Sequence, residues 1–225
     1  MRSLAALYPE VLHLLYHTNA AIHTLEDLRG KRVGVGARGS GTEQIATNLL
    51  SFAGVTLETN STVQASFSST LKLLNDSKID AAFFLSGLGT PAIGHALQDK
   101  KIALAPIRMR HGDTASPEII TRMFTDGFRV HYPHVSPQTI PLMAYAGRPA
   151  ETMASMSIQA VLVCQKSVDA EVIELITRTL FKHRAVLSQK DPAFTHLNEL
   201  AAQAELQFPL HEGAENYYPR REPGF

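Results

Sequence analysis

Residues 33–43 read Val33-Gly34-Val35-Gly36-Ala37-Arg38-Gly39-Ser40-Gly41-Thr42-Glu43. A short apolar run, Lys31–Gly36, leaves through glycines into a stretch where Ile45, Leu49 and Ala53 recur every four residues. Strand, glycine turn and amphipathic helix therefore follow one another directly, the helix running over Thr42–Ala53 and stopping at Gly54. Three chemistries share this outline. Gly34, Gly36 and Gly39 spell G-x-G-x-x-G, but a dinucleotide turn needs a full apolar strand before its first glycine, and only Val33 separates Gly34 from Arg32, Lys31 and Gly30. Glu58 stands near the position expected for its acidic residue, which alone is weak support. A P-loop fits worse: Gly36 and Gly41 have its spacing, but Thr42 stands where its lysine must be.

The third reading survives both failures. Ser40 and Glu43 form a capping-box pattern, S-x-x-E. The first amides of the helix, at Gly41, Thr42 and Glu43, then point outward with the helix dipole behind them. The glycines permit close approach of a ligand, and the Ser40 and Thr42 hydroxyls add donors. This is a seat for a carboxylate or a phosphate. The plainer alternative, that Ser40 and Glu43 only cap the helix and the glycines only turn the chain, stays open.

Downstream the pattern repeats. Ser61–Gln64 reads as a strand, Ser66–Asn75 as a helix and Ile79–Leu85 as a buried strand with a glycine-rich exit, Ser86-Gly87-Leu88-Gly89. A helix over Pro91–Gln98 and a strand over Ile102–Ile107 follow. The βα alternation predicts a mostly parallel sheet with helices on its faces, the α/β class. Ligands favour the carboxyl ends of such strands, which adds Gly87 and Thr90 to Gly39, Ser40, Gly41 and Thr42 as candidate binding residues. Upstream, Leu4–Leu7 and Val11–Tyr16 read as two short strands or one bent one, and Thr24–Gly30 as a single helical turn closed by glycine. The stretch Arg108–Met156 reads as irregular connection with a helix at Pro117–Asp126. An apolar strand, Ser157–Cys164, and a long helix from a Ser167 cap to Leu187 come next, with Val172, Ile176 and Leu180 on its apolar face. Short helices near His196–Ala204 and Gly213–Tyr218 precede a charged tail, Pro219–Phe225. A central block flanked by segments 1–16 and 157–220 requires two crossings, the layout of a hinged two-lobe binder.

The 225 residues are 44% hydrophobic and 19% charged, with 21 basic and 21 acidic side chains, a globular balance at zero formal charge. No basic excess points to nucleic acid. The one cysteine, Cys164, excludes an internal disulfide and a Cys-rich zinc site, and its apolar strand makes it a core thiol. Nothing reaches about 18 uninterrupted apolar residues, so no membrane span is expected. Met1-Arg2 and Leu4–Leu7 hint at a signal peptide, but Pro9, Glu10 and His13 interrupt the run and no small-residue cleavage site follows. A chain opening directly into core strand points to a missing upstream segment.

No catalytic set emerges. Ser40 lacks the G-x-S-x-G elbow, and no Ser/His/Asp combination can be assigned. His13 with His17, and His131 with His134, read as solvated or singly hydrogen-bonded side chains rather than metal ligands, and His211 as a cap for the next helix. Met143, Met153 and Met156 read as gap fillers. Tyr145, on a loop joining the lobes, either presents its hydroxyl or ring to a ligand or packs at the hinge.

In order along the chain, Leu7-Tyr8-Pro9-Glu10-Val11, Leu25-Glu26-Asp27-Leu28-Arg29-Gly30-Lys31-Arg32-Val33 and Gly39-Ser40-Gly41-Thr42-Glu43 stand first. Ile79–Phe84 with Gly87 and Thr90-Pro91-Ala92-Ile93 come next, then Ile140-Pro141 with Tyr145, and last Pro209-Leu210-His211 with Gly213-Ala214-Glu215 and Tyr217-Tyr218. Together these resemble the TAXI family of TRAP-transporter solute receptors over nearly the whole chain. The resemblance implies a two-lobe periplasmic-binding type II-like fold with one lobe incomplete. Residues 1–18 and 157–225 would form a partial first lobe, 19–107 the α/β core of the second, and 108–156 its remainder with crossing and hinge segments. It implies a periplasmic receptor for a small organic anion, an amino acid such as glutamate or a dicarboxylate, delivered to TRAP permease membrane subunits with no chemistry, no metal and no cofactor. Gly39, Ser40, Gly41, Thr42, Gly87, Thr90 and Tyr145 would bind the ligand. The departures are the missing signal peptide and N-terminal βα segment, Arg38 in place of a usual proline, and Met143-Ala144 where the family has Gly-Thr. They keep alternatives open: a ligand-sensing or protein-interaction domain that has lost transport, or a small enzyme holding a phosphate or carboxylate at the same helix start.

Overall fold

The computed structural model describes residues 1–56, 61–110 and 117–218, and of the side chains between 117 and 123 only that of Arg122. Glu58 and the Pro219–Phe225 tail lie outside the described residues. The chain divides into a terminal unit, residues 1–9 with 159–225, and a middle unit, residues 10–158. Both crossings lie inside strands, the first within β1 (Arg2–His17), after Pro9, and the second within β7 (Met153–Cys164), after Ile158. No composition shift marks them, because one extended run serves both units. The two N-terminal runs thus form a single strand.

The middle unit is a mixed α/β sheet flanked by helices. Its elements are β2 (Val33–Gly34), α1 (Gly41–Phe52), β3 (Thr62–Val63), α2 (Phe67–Asn75), β4 (Ala81–Ser86), α3 (Pro91–Gln98), β5 (Ile102–Ala105), α4 (Pro117–His131) and β6 (Val135–Ile140). The strand order is β3-β2-β4-β1-β7-β6, with β5 also paired to β1. β2 runs parallel to β3 and β4, while β1 is antiparallel to β4 and β5. All six residues of β4 are buried, as a strand covered on both faces requires. Its neighbours Phe83 and Phe84 point to opposite faces. Phe83 packs with Leu12, Leu14, Ile45, Leu49 and Phe128, and Phe84 with Val11, Leu15, Leu74, Ile93 and Leu97. Burial of each such side chain contributes about 1.5–3 kcal/mol.

Helix starts follow local chemistry. The Ser66 hydroxyl caps α2 by accepting from the Ser69 amide at 3.3 Å. The turn Leu25–Leu28 carries a capping box between Thr24 and Asp27, and Gly30 closes it at φ +72°. The stretch read as irregular connection holds more order than its composition suggests. α4 runs on to His131, and β6 pairs antiparallel with β7, Pro137 standing opposite Met156. β6 lies at the sheet edge, where proline's missing amide is tolerated.

The terminal unit comprises the start of β1, the end of β7, α5 (Ala170–Lys182), α6 (Arg184–Lys190), α7 (Glu212–Tyr217) and the short turns Pro192–His196 and Ala201–Gln203. The long helix expected here differs in three respects. Asp169, not Ser167, caps it, accepting from the amides of Glu171 and Val172. It breaks at His183, where φ −102° and ψ 14° leave helical geometry. Its buried face is Ile173, Thr177 and Phe181, whereas Val172 and Ile176 are 48% and 42% exposed. Two four-residue stripes lie side by side in this sequence. The buried one conceals its polar member, because the Thr177 hydroxyl donates to the Ile173 carbonyl at 2.8 Å.

The C-terminal motif is a clasp. His211 Nδ1 accepts from the Gly213 amide, capping α7 as its position implied, and Nε2 lies 3.2 Å from the Lys166 carbonyl. A Cβ on Gly213 would stand 2.1 Å from the Ala170 carbonyl oxygen, so only glycine lets α7 approach α5 this closely. Ser3 exchanges backbone hydrogen bonds with Pro209 and His211, and the Tyr218 hydroxyl donates to the Leu4 carbonyl at 2.9 Å. Cys164 packs partly buried beside this core, and burial raises its thiol pKa.

Candidate functional site

The parallel neighbours β2 and β4 pair at Val33–Ala81 and Gly34–Ala82, β4 runs on to Ser86, and each strand leads into a glycine turn that opens a helix. After β2 the chain turns through Gly36 at φ +95° and Gly39 at φ +76°. A Cβ on Gly36 would lie 2.7 Å from Thr42 Cβ and 2.9 Å from Ser40 Oγ, since the first turn of α1 folds back over it. A Cβ on Gly34 would lie 2.7 Å from Thr70 Cγ2. The three glycines of the G-x-G-x-x-G thus each have a local structural cause.

Ser40 caps α1 by accepting from the Glu43 amide at 3.2 Å, so that amide is not free. The Glu43 carboxylate folds over the same tip. Its Oε2 accepts the Gly39 amide at 2.5 Å, and its Oε1 accepts from the Gln64 side-chain amide. A negative charge is therefore already lodged at the start of α1, where the dipole favours one. Of the donors expected there, the Gly41 and Thr42 amides remain without a partner among the described residues. The Thr42 hydroxyl oxygen lies 3.4 Å from the Leu85 amide that donates to it, tying α1 to the end of β4. Arg38 is exposed in the turn.

The second turn carries the other candidates. Thr90 Oγ1 donates to the Gly87 carbonyl at 2.7 Å, and Gly87 is buried. Between them Gly89, at φ +83°, donates its amide to the Tyr145 hydroxyl. Tyr145 is 5% exposed, and its hydroxyl lies 2.6 Å from His13 Nε2. His13 is fully buried and bonded at both nitrogens, not solvated or singly bonded as its sequence position suggested. Its Nδ1 lies 2.8 Å from the Val11 carbonyl, which only accepts, so Nδ1 carries the proton and Nε2 accepts from Tyr145. Burial pushes the His13 pKa down to about 4 and the Tyr145 pKa up to about 12. Both groups are neutral near pH 7. The structure thus joins Gly87, Thr90 and Tyr145 in one network, with the tyrosine beneath the turn and its ring against Gly94 of α3. The Gly39–Thr42 tip stands at the adjoining strand end.

Three residues of this arrangement escape sequence reading. Glu43 is visible as a cap, but its partner Gln64 follows a two-residue strand and carries no motif. His13 and Gly89 meet Tyr145 only through pairing of distant elements. Within the middle unit, a recess of about 30 Å³ adjoins Gly41, Gln44 and Tyr132. A cavity of about 430 Å³ lies elsewhere, lined by Arg108, Gln138, Thr139, Glu151 and Ala154 among others, and none of the predicted site residues reaches it. Among the described residues no three His, Cys, Asp or Glu side chains gather as metal ligands, and no helix is long and apolar enough to cross a membrane.

A family model described as NMT1-like matches residues 1–224. Among solved structures, an ancestral arginine-binding protein bound to glutamine aligns at 17% identity and TM-score 0.39, over 83% of this chain and 57% of its own. An amino-acid ABC transporter substrate-binding protein from Streptococcus pneumoniae bound to L-arginine aligns at 13% identity and TM-score 0.42, over 84% and 58%. A histidine kinase sensor domain with similarity to periplasmic binding proteins aligns at 18% identity and TM-score 0.35, over 58% and 57%. This chain spans less than two thirds of the length of each.

Proposed function

The chain belongs to the NMT1-like family, and we propose that it is a solute receptor without catalytic activity, holding a small amino acid at the glycine turns that follow β2 and β4. The observation that carries this reading is a pair of amides, Gly41 and Thr42, without a partner among the described residues, at the start of a helix whose own carboxylate, Glu43, stands beside them. An α-amino acid carries both complementary charges. Its carboxylate accepts from the two amides, and its ammonium donates to Glu43, whose oxygens have lone pairs beyond those engaged by Gly39 and Gln64. Charge-assisted bonds of this kind contribute about 1.5–3 kcal/mol each. In this reading the Gly87–Thr90 turn borders the seat, with Tyr145 bonded to that turn through Gly89.

The wider reading follows the TAXI resemblance: a two-lobe receptor of the periplasmic-binding type, outside the cytoplasm, passing glutamate or a dicarboxylate to the membrane subunits of a TRAP permease. Two strands crossing between units, and a sheet in which antiparallel β1 separates β4 from β5, support that architecture. Closure of such a receptor shifts populations by the ligand's differential affinity for the two states.

Calorimetric titration with L-glutamate and with succinate tests the assignment. Glutamate binds, and Glu43→Gln weakens it while leaving succinate unchanged or improved. Succinate binding with no response to amino acids overturns the role of Glu43. Silence toward both overturns the receptor reading and favours a sensing or interaction role.

A further inference from the structure

We propose that the outer face of α5 is a docking surface for a second copy of this chain, the two helices packing antiparallel about a twofold axis. α5 satisfies its own unit with one side only, through Ile173, Thr177 and Phe181. The opposite side carries Val172, Leu175 and Ile176 at 48%, 62% and 42% exposure, with exposed Thr179 continuing the line. At about 100° per residue these four span a stripe about 100° wide, the width of a helix face that packs on another element. Scattered apolar residues on a surface need no explanation, but a contiguous helical stripe does.

Charge selects the occupant and its direction. The stripe is bordered on one flank by Glu171 near the helix start and by Arg178 and Lys182 near its end. In a parallel twofold pair this flank meets the second copy's other flank, where Asp169 and Leu180 offer Glu171 and Lys182 no opposite charge. In an antiparallel pair centred between Leu175 and Ile176, Leu175 lies opposite the second copy's Ile176 and Val172 opposite its Thr179. Glu171 then faces the basic end of the second copy, toward Arg178 and Lys182, on both sides of the axis. One surface is complementary to itself, the condition for an isologous contact. The helix dipoles also oppose one another favourably. Arg178 is already held by Glu174 at 2.6 Å, which leaves Lys182 as the freer partner for Glu171.

Sedimentation equilibrium of the full chain over a concentration series tests this. A concentration-dependent rise to twice the chain mass is expected, and Leu175→Glu abolishes it. Glu171→Lys or Lys182→Glu alone raises the dimer dissociation constant roughly tenfold, since the axis repeats each exposed pair. The double variant Glu171→Lys with Lys182→Glu restores it. Circular dichroism and the melting temperature of every variant confirm that the fold persists. A monomer at all concentrations up to about 1 mM overturns the proposal. So does a dimer indifferent to Leu175→Glu, or a double variant as weak as the single ones.

Discussion

Replacing Gly41 with proline deletes one amide and disturbs little else. Gly41 is the first residue of α1, and its N–H has no partner among the described residues. Proline is favoured at that position, because its fixed φ suits the helix and the lost donor is unsatisfied within the helix anyway. The preceding Ser40 sits at φ −80° and ψ 157°, in the extended region that proline imposes on its predecessor. A Cβ at position 41 stands 3.4 Å from Leu85 Cδ2, ordinary contact. Stability should therefore hold or rise by about 0.4–1 kcal/mol through the stiffer unfolded chain. Binding of an amino-acid carboxylate loses one charge-assisted bond, about 1.5–3 kcal/mol, or roughly 10–150-fold in Kd. Calorimetry with glutamate reads that loss, and Gly41→Ala, which adds the Cβ but keeps the amide, is the control. Affinity of Gly41→Pro within about twofold of the parent chain refutes the seat. Equal weakening by Gly41→Ala assigns the effect to bulk and refutes it as well.

Other outcomes follow from the same geometry. Gly213→Ala forces a Cβ against the Ala170 carbonyl and destabilises the terminal unit by about 1–3 kcal/mol or more in denaturant unfolding. Tyr145→Phe leaves His13 Nε2 and the Gly89 amide without their partner and costs about 1–3 kcal/mol, seen as a lower melting temperature. His13 titrates at about 4 in the folded chain and near 6.5 when unfolded. As pH falls the unfolded state takes the proton first, so the stability owed to neutral His13 is intact above about 6.5 and is lost between there and about 4. The loss approaches roughly 3 kcal/mol, and His13→Gln should flatten that part of a stability–pH curve. Ser40→Ala removes the cap of α1 and costs about 1 kcal/mol in thermal or denaturant unfolding.

Much of the middle unit was legible in the residues because its signals are local. The apolar run ending at β4 predicts a strand buried on both faces. Ser40 and Ser66 predict helix starts, and the Ile45–Leu49 spacing predicts which side of α1 is buried. The glycine turn declared its shape, since Gly36 and Gly39 adopt the positive φ that glycine permits. What the tip can hold was less legible. Ser40 and Glu43 announce a cap, but the hydrogen bond from Gln64 that fixes the Glu43 carboxylate depends on β3 lying beside β2.

The amino-acid order alone determined the alternation of strand and helix, the glycine-led helix starts and the clasp residues of the C-terminus, because capping, φ preference and periodicity act within a few neighbours. Only the tertiary structure decided that β6 is a strand, since its pairing with β7 outweighs the proline within it. Only packing chose Ile173, Thr177 and Phe181 over Val172 and Ile176 as the inner face of α5, with Leu180 packed at its edge, two stripes that periodicity alone cannot rank. And only the meeting of three distant segments made Tyr145 a buried support whose hydroxyl is committed to His13 and Gly89. Hydrogen-bond partners far apart in the chain are set by the fold, and they decide which polar atoms remain free for a ligand.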